Sequence, residues 1–371
     1  MPMTPRSRTG VVRGLLVASG GLAALQAACA RAPRVEPIAP GAAAQAPPPA
    51  PPAIGPEPQA YENRLLSNLS RHTFTENGRD FDPDIDATGE WLVFASTRNA
   101  RQPDIYLKRA DGFAVTQLTS DAVADVQPRF SPDGQRVAFA SNRAGNWDIW
   151  LVGRDGTRLT RLTDDSVDEV APAWSPDGAQ LAFTQWGQRS EQWEIWTVSA
   201  DAPGTRRFLA YGMFPCWSPD GARIAFQRAR ERGSRWFSVW HVSLVDGEAR
   251  HPTEVAHSEN GACIAPRFSP DGQSLVYGEV RAVEGDATGQ RYSGALWQVD
   301  IERGVRKRVT DGAQPAYNPV WGPQGRIYFV TAQAGAENIW SVSAAAVSAV
   351  AGETVEGPPA RPSADPIPEA D

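Results

Sequence analysis

Residues 127–150 read QPRFSPDGQRVAFASNRAGNWDIW, and this stretch decides the fold because it recurs with variation from about Asp82 to Trp340. Its pattern is strand, tight turn, strand, loop, strand: PRF, SPDG, the alternating apolar RVAFAS, the loop NRAGNW, then DIWLV. In Ser131-Pro132-Asp133-Gly134 the proline presets φ for the second turn position, the aspartate tolerates the third, and the glycine takes the left-handed fourth. The turn therefore predicts a hairpin with a glycine bulge. One such unit cannot bury its own apolar face, so it needs its siblings.

The siblings align on the proline that opens each first strand: Pro83, Pro128, Pro172, Pro215, Pro266 and Pro319, at spacings of 45, 44, 43, 51 and 53 residues. A period of about 40–50 residues filled with short strands and turns is that of a β-propeller blade. The turns read DATG at Asp86, SPDG at Ser131, Ser175, Ser218 and Ser269, and GPQG at Gly322. Third strands follow as DIYLK, DIWLV, EIWTV, SVWHV, ALWQV and NIWSV, and outer strands as VTQLT, LTRLT, RRFLA and KRVT. The sixth copy lacks an outer strand, whereas NLSRHTFTE (Asn68–Glu76) precedes the first copy and looks like one. The expected fold is thus all-β: a six-bladed β-propeller of four-stranded antiparallel blades over residues 63–345, closed by an N-terminal outer strand that completes blade six.

Composition bounds the rest. The 371 residues carry a net charge of −7, and lysine occurs only at Lys108 and Lys307, so nothing favours nucleic acid as a partner. Residues 1–28 join a basic start to the apolar GLLVASGGLAAL and read as a secretory signal. Ala27-Ala28-Cys29 resembles the bacterial lipoprotein processing site, with Gln26 where that site usually has Leu, and the resemblance implies that Cys29 becomes the lipidated first residue. Residues 29–62 then form a Pro/Ala-rich tether able to hold a domain off a membrane. Ala30 after the cysteine suits the outer membrane. Residues 346–371, acidic and Pro/Ala-rich, are expected to be disordered.

The motif P-x-[FW]-S-P-D-G, then [IVL]-A-F, a basic loop, D-I-W and a closing L-T, resembles the propeller repeat of periplasmic TolB over about Leu66–Val342. Related repeats occur in tricorn-type and dipeptidyl-peptidase-type propellers, and the small α/β domain that precedes the TolB propeller has no counterpart here. The resemblance implies a non-catalytic, monomeric protein-interaction scaffold in the periplasm, Tol-Pal-related, whose partner is an envelope protein such as a peptidoglycan-associated lipoprotein.

No Gly-x-Ser-x-Gly elbow occurs, and the histidines His72, His241, His251 and His257 show no ligand spacing, so neither a catalytic motif nor a cofactor is expected. Cys216 and Cys263 are either a disulfide between neighbouring blades or two free thiols. The acidic residues three places before the repeat proline are Asp80, Asp125 and Glu169 in blades one to three, replaced by Gly212, Cys263 and Ala316 in the others. Loops between second and third strands open on the same face and carry Arg98, Arg101, Arg143, Arg189, Arg228 and Arg230. Asp80, Asp125, Glu169, Arg98, Arg143 and Arg189 are therefore the candidate partner-binding residues at the channel mouth. The same carboxylates suit turn capping or ion pairs with the loop arginines. The alternative function is a propeller hydrolase or sugar-binding lectin, which needs those carboxylates to converge on the channel.

Overall fold

A computed structural model describes residues 68–230, 236–283, 291–312 and 314–345, with the backbone of 355–356 and 361–362. The signal, Cys29 and the tether lie outside the described residues. The chain is an all-β six-bladed propeller of antiparallel blades, whose strands pair in sequence order in blades one to five, while the outer strand of blade six comes from the N-terminal side. The first strands are Asp80–Ile85, Asp125–Phe130, Glu169–Trp174, Met213–Trp217, Ala262–Phe268 and Ala316–Trp321. Each packs against the first strand of the next blade and the last returns to the first, which makes them the wall of the central channel. Alternate second-strand positions such as Phe94, Phe139, Phe183, Phe226 and Tyr277 are fully buried between sheets.

Every SPDG turn is built from its own side chains. Gly134 N–H donates to Ser131 O at 2.8 Å with Gly134 at φ 67°, the bulge expected from the sequence. Ser131 Oγ donates to Asp133 Oδ1 at 2.5 Å and accepts from Arg136 N–H at 2.9 Å, and the Ser175, Ser218 and Ser269 turns repeat the arrangement. The serine hydroxyl holds each of Asp133, Asp177, Asp220 and Asp271 below the usual carboxylate range.

The repeat prolines mark something the sequence does not announce. The residue before each one, Asp82, Gln127, Ala171, Phe214, Ala265 and Asn318, is left-handed with φ between 50° and 56°. Each first strand shifts register there against the second strand, as at Phe81/Asp84 and Val126/Arg129. Proline has no N–H to lose from the ladder, so a bulge at this site costs the sheet little. The bulge also turns backbone N–H groups towards the preceding blade. Ala171 N–H reaches Gln127 Oε1 at 2.7 Å, Phe214 N–H reaches Thr184 Oγ1 at 3.0 Å, and Ala265 N–H reaches Gln227 Oε1 at 2.8 Å. Neighbouring blades are thereby tied by hydrogen bonds as well as by apolar packing.

Closure follows the expected route. In blades one and two the Leu-Thr pair folds over the third strand: Leu118 and Thr119 N–H donate to Ile105 O at 2.8 and 3.4 Å, and Leu162 and Thr163 to Ile149 O at 2.9 and 3.3 Å. His72 and Thr73 do the same to Ile339 O at 2.8 and 3.4 Å, while Thr73 Oγ1 accepts from Ile339 N–H at 2.9 Å. His72-Thr73 is therefore the closing pair of blade six, and Ser70–Arg71 its outer strand, paired with Trp340 and Ser341. The C-terminal segment differs from expectation at two dipeptides. Val355–Glu356 adds to the outer edge of blade five and Arg361–Pro362 to that of blade four. Open outer edges offer unpaired N–H and C=O groups that such a segment can meet through its backbone alone.

Asn338 is fully buried at this seam: its Oδ1 accepts from Thr73 Oγ1 and Thr75 N–H, and its Nδ2 donates to Thr75 O. Asn338→Ala leaves these groups without a partner, and equilibrium urea unfolding should show a loss of about 1–3 kcal/mol. An unchanged midpoint would mean that the N-terminal strand does not close the ring.

Candidate functional site

The face carrying the loops between second and third strands holds the sequence-derived candidates. Asp80 starts the first strand of blade one opposite Ser96, and its side chain is 0% exposed. Its oxygens accept from Ser96 Oγ at 2.6 Å, Thr75 Oγ1 at 2.8 Å and Arg98 Nη2 at 2.8 Å. The Arg98 guanidinium lies over the rings of Phe94 and Tyr106. Blade two repeats the set: Asp125, 0% exposed, accepts from Arg143 Nη2 at 2.7 Å, Arg143 Nε donates to Ser141 Oγ at 2.8 Å, and the guanidinium covers Phe139 and Trp150. The structure thus brings Asp80 to Arg98 and Asp125 to Arg143, each carboxylate beneath its guanidinium and closed to solvent.

Glu169 and Arg189 are not brought together. Glu169 is also buried but pairs with Arg206 from the outer strand of its blade, which holds Asp165 as well and stacks over Phe183. Arg189 is exposed on the loop. Blade five moves the acid one strand outward: Cys263 stands opposite Glu279, which accepts from Ser258 Oγ at 2.6 Å and Arg281 Nη2 at 2.7 Å, with Arg306 at 3.6 Å. The sequence reading missed Glu279, Arg206 and Arg306; the register partner of the first-strand position is the signal that finds Glu279. Cys216 and Cys263 are free thiols, and burial pushes the Cys263 thiol up. Among the described residues no group of three or more His, Cys, Asp or Glu side chains is placed to hold a metal ion.

The channel interior carries a second set of charges. Asn318 Nδ2 donates to Asp82 Oδ1 at 2.5 Å, and Phe130 N–H donates to Asp84 Oδ2 at 2.8 Å. Arg129 Nη1 donates to Pro128 O at 2.7 Å, and Arg267 Nη1 to Pro215 O at 3.3 Å. Burial raises the carboxyls of Asp82 and Asp84 against the pull of Arg129 and lowers Arg129 to about 10, with Arg267 repelling it. These polar groups come from blades one, two, four, five and six.

Blade three departs from its neighbours on the loop face. Where blades one and two place Ser-x-Arg over the buried phenyl ring, it has Gln185-Trp186-Gly187, and its arginine comes from the outer strand instead. Here a groove of about 780 Å³ opens, walled by Trp186, Trp196, Phe208 and Tyr211 and edged by Asp165 and Arg189. A smaller hollow of about 250 Å³ adjoins it towards Arg228 and Arg230 of blade four. This groove opens beside the candidate Arg189.

The family model described as the tricorn protease N-terminal β-propeller domain matches residues 146–351, more than half of the chain, and that of the TolB β-propeller domain matches residues 56–212. The chain belongs to the TolB/tricorn-type β-propeller family. A TolB homolog of Chlorobium luteolum is 39% identical over 71 residues, 19% of this chain and 16% of that protein. An uncharacterized protein of Agrobacterium fabrum is 33% identical over 81 residues, 22% of this chain and 27% of its own length. The matches thus span well under two thirds of these relatives. Among solved structures, a TolB-type protein from Agrobacterium tumefaciens superposes with a TM-score of 0.54 at 20% identity over 71% of this chain and 90% of that one. An oligogalacturonate lyase from Vibrio parahaemolyticus gives 0.50 at 14% identity over 74% and 93%. Both likenesses are of fold.

Burial pushes the Glu169 carboxyl up to about 7 from 4.5, with Asp165 adding repulsion, although Arg206 and Thr163 pull the other way. A raised carboxyl stabilises the fold fully below its unfolded value, and that contribution is lost as pH rises through the folded value. Between pH 4.5 and 7 the wild-type chain should therefore lose about 2–3 kcal/mol relative to Glu169→Gln. Thermal melts of both proteins across that window measure it, and a pH-independent difference would contradict the shift.

Proposed function

We propose that this TolB-type propeller is a non-catalytic interaction scaffold of the bacterial cell envelope, carried on a lipid at Cys29 and presenting its loop face to a protein partner. The observation that carries the reading is the state of the candidate carboxylates. Asp80, Asp125 and Glu169 are 0% exposed and ion-paired, so they serve as acceptors that set arginines on a rigid face. Arg98 and Arg143 keep 19% and 12% of their side chains exposed over aromatic rings, and guanidinium groups fixed in this way suit an acidic or amide-rich segment. Arg98 and Arg143, with the exposed Arg189, form that surface on blades one to three. By likeness to TolB, the partner is an envelope protein of the peptidoglycan-associated lipoprotein kind, within a Tol-Pal-related assembly.

The localisation belongs to the same proposal. The processing site at Cys29 followed by a Pro/Ala-rich tether suits a periplasmic domain held off the outer membrane by a spacer of about 3.1 Å per residue in its extended form. The chain acts as a monomer in this reading.

Two measurements test it. Affinity capture from solubilised envelope, with the full chain as bait, should recover a peptidoglycan-associated lipoprotein. Arg189→Glu should reduce the yield about tenfold, the cost of reversing one well-placed charge contact. Recovery of no envelope protein overturns the scaffold. Separately, mass spectrometry of the mature N-terminus should find an acylated Cys29 as first residue; an unmodified terminus at another position removes the anchor and leaves the scaffold standing.

A further inference from the structure

We infer that the groove on blade three is a saccharide-binding site, which shares Arg189 at its edge with the arginine surface proposed for a protein partner. The inference starts from why the groove exists. In blades one and two the loop arginine lies down over the second-strand phenyl ring and fills the space beside it. In blade three Arg206 reaches that ring from the outer strand, so the loop is free to turn outward through Trp186 and Gly187. A Cβ at Gly187 would stand 2.1 Å from Glu194 Oε1 and 2.2 Å from Ser190 Oγ, so this glycine is what lets both polar groups gather at one spot.

The walls are rings held in fixed attitudes. Phe208 meets Trp196 edge-on at 5.7 Å and Tyr211 at 5.2 Å, and Trp186 meets Trp193 at 5.2 Å. Trp196 is further locked by Nε1 donating to Glu194 Oε2 at 2.9 Å. Preset ring faces of this kind suit the C–H faces of a pyranose, whose slightly positive hydrogens meet the negative face of an aromatic ring.

The polar groups decide between a sugar and a peptide. Glu194 is a carboxylate whose donors within the chain are Ser190 Oγ at 2.6 Å, Trp196 Nε1, and Gln185 Nε2 at 3.5 Å. The oxygen of Gln185 is buried with no partner. The site thus sets acceptors on Glu194 and Gln185 beside the donors of Arg189 at its edge, and vicinal hydroxyl groups, which both donate and accept, suit that mixture. A proline-rich segment, the usual occupant of aromatic grooves, brings carbonyl acceptors and few N–H groups. The indole donor it would seek on Trp196 is already taken.

Titration calorimetry of the full chain with tetrasaccharides of glucose, N-acetylglucosamine and galacturonic acid is the test, run beside a peptide of residues 46–57, APPPAPPAIGPE. At least one tetrasaccharide should bind with a Kd of about 1 mM or tighter. Tyr211→Ala and Gln185→Ala should each weaken that binding about tenfold, the worth of one stacking face or one hydrogen bond, and Tyr211→Phe should leave it within about threefold. Thermal melts establish that the variants are folded, and Gln185→Ala serves should Tyr211→Ala fail to fold. No binding by any of the three sugars, binding unmoved by both substitutions, or binding of the peptide alone overturns the inference. Arg189 edges both surfaces, so the two readings are told apart by Tyr211→Ala and Gln185→Ala, which should leave capture of the protein partner unchanged.

Discussion

The fold depends on one junction, the folding of His72 and Thr73 over Ile339. A propeller is a sheet array that gains stability by having no free ends, and each blade here is covered on both faces only because the sixth meets the first. The junction reproduces the geometry of the Leu-Thr pairs in blades one and two to within about 0.1 Å in both amide-to-carbonyl distances, so the seam is chemically the same as any other blade. Side chains reinforce it. Lys108 Nζ donates to His72 O at 2.6 Å, and His72 Nδ1–H donates to Ala110 O at 2.9 Å while Nε2 accepts from Ser341 Oγ at 2.7 Å. Burial lowers the imidazole pKa, which keeps it in that neutral, two-way bridging form.

Once the ring is closed, the charges inside it must be matched locally. Four carboxylates on the loop face, Asp80, Asp125, Glu169 and Glu279, sit nearly or fully out of solvent, and each meets an arginine stacked on an aromatic ring. A buried carboxylate without such a partner would cost several kcal/mol. The arginine gains as well, because stacking and hydrogen bonding fix its long stem without burying all of its donors. Acid, arginine and ring therefore travel together through the blades even where the residues that supply them change.

That exchange explains what could and could not be read from the sequence. The prolines, the SPDG turns, the blade count and the closing strand were legible because each rests on local residue chemistry repeated at a regular period. Asp80 with Arg98 and Asp125 with Arg143 were legible as neighbours, since strand and loop lengths are alike in those two repeats. Glu169 with Arg206 was not, because the partner moves from the loop to the outer strand. Glu279 was hidden because its place in the repeat changes strands. The left-handed residues before the prolines ran against local preference, which disfavours turning there and favours extended backbone. They persist because the blade-to-blade hydrogen bonds at Ala171, Phe214 and Ala265 repay the strain.

The groove on blade three follows from the same economy of space. Where blades one and two lay a loop arginine over the second-strand ring, blade three supplies that guanidinium from the outer strand and frees the loop from this task. Gln185, Trp186 and Gly187 occupy positions that Ser141, Asn142 and Arg143 must spend on Asp125 and the turn behind it. A loop released in this way can be shaped by a ligand without weakening the ring, because the seam, the bulges and the ion pair beneath it are secured elsewhere. The sixfold repeat thus supplies stability that is shared among all blades, and specificity can enter at a blade where the shared task has been handed to a different residue.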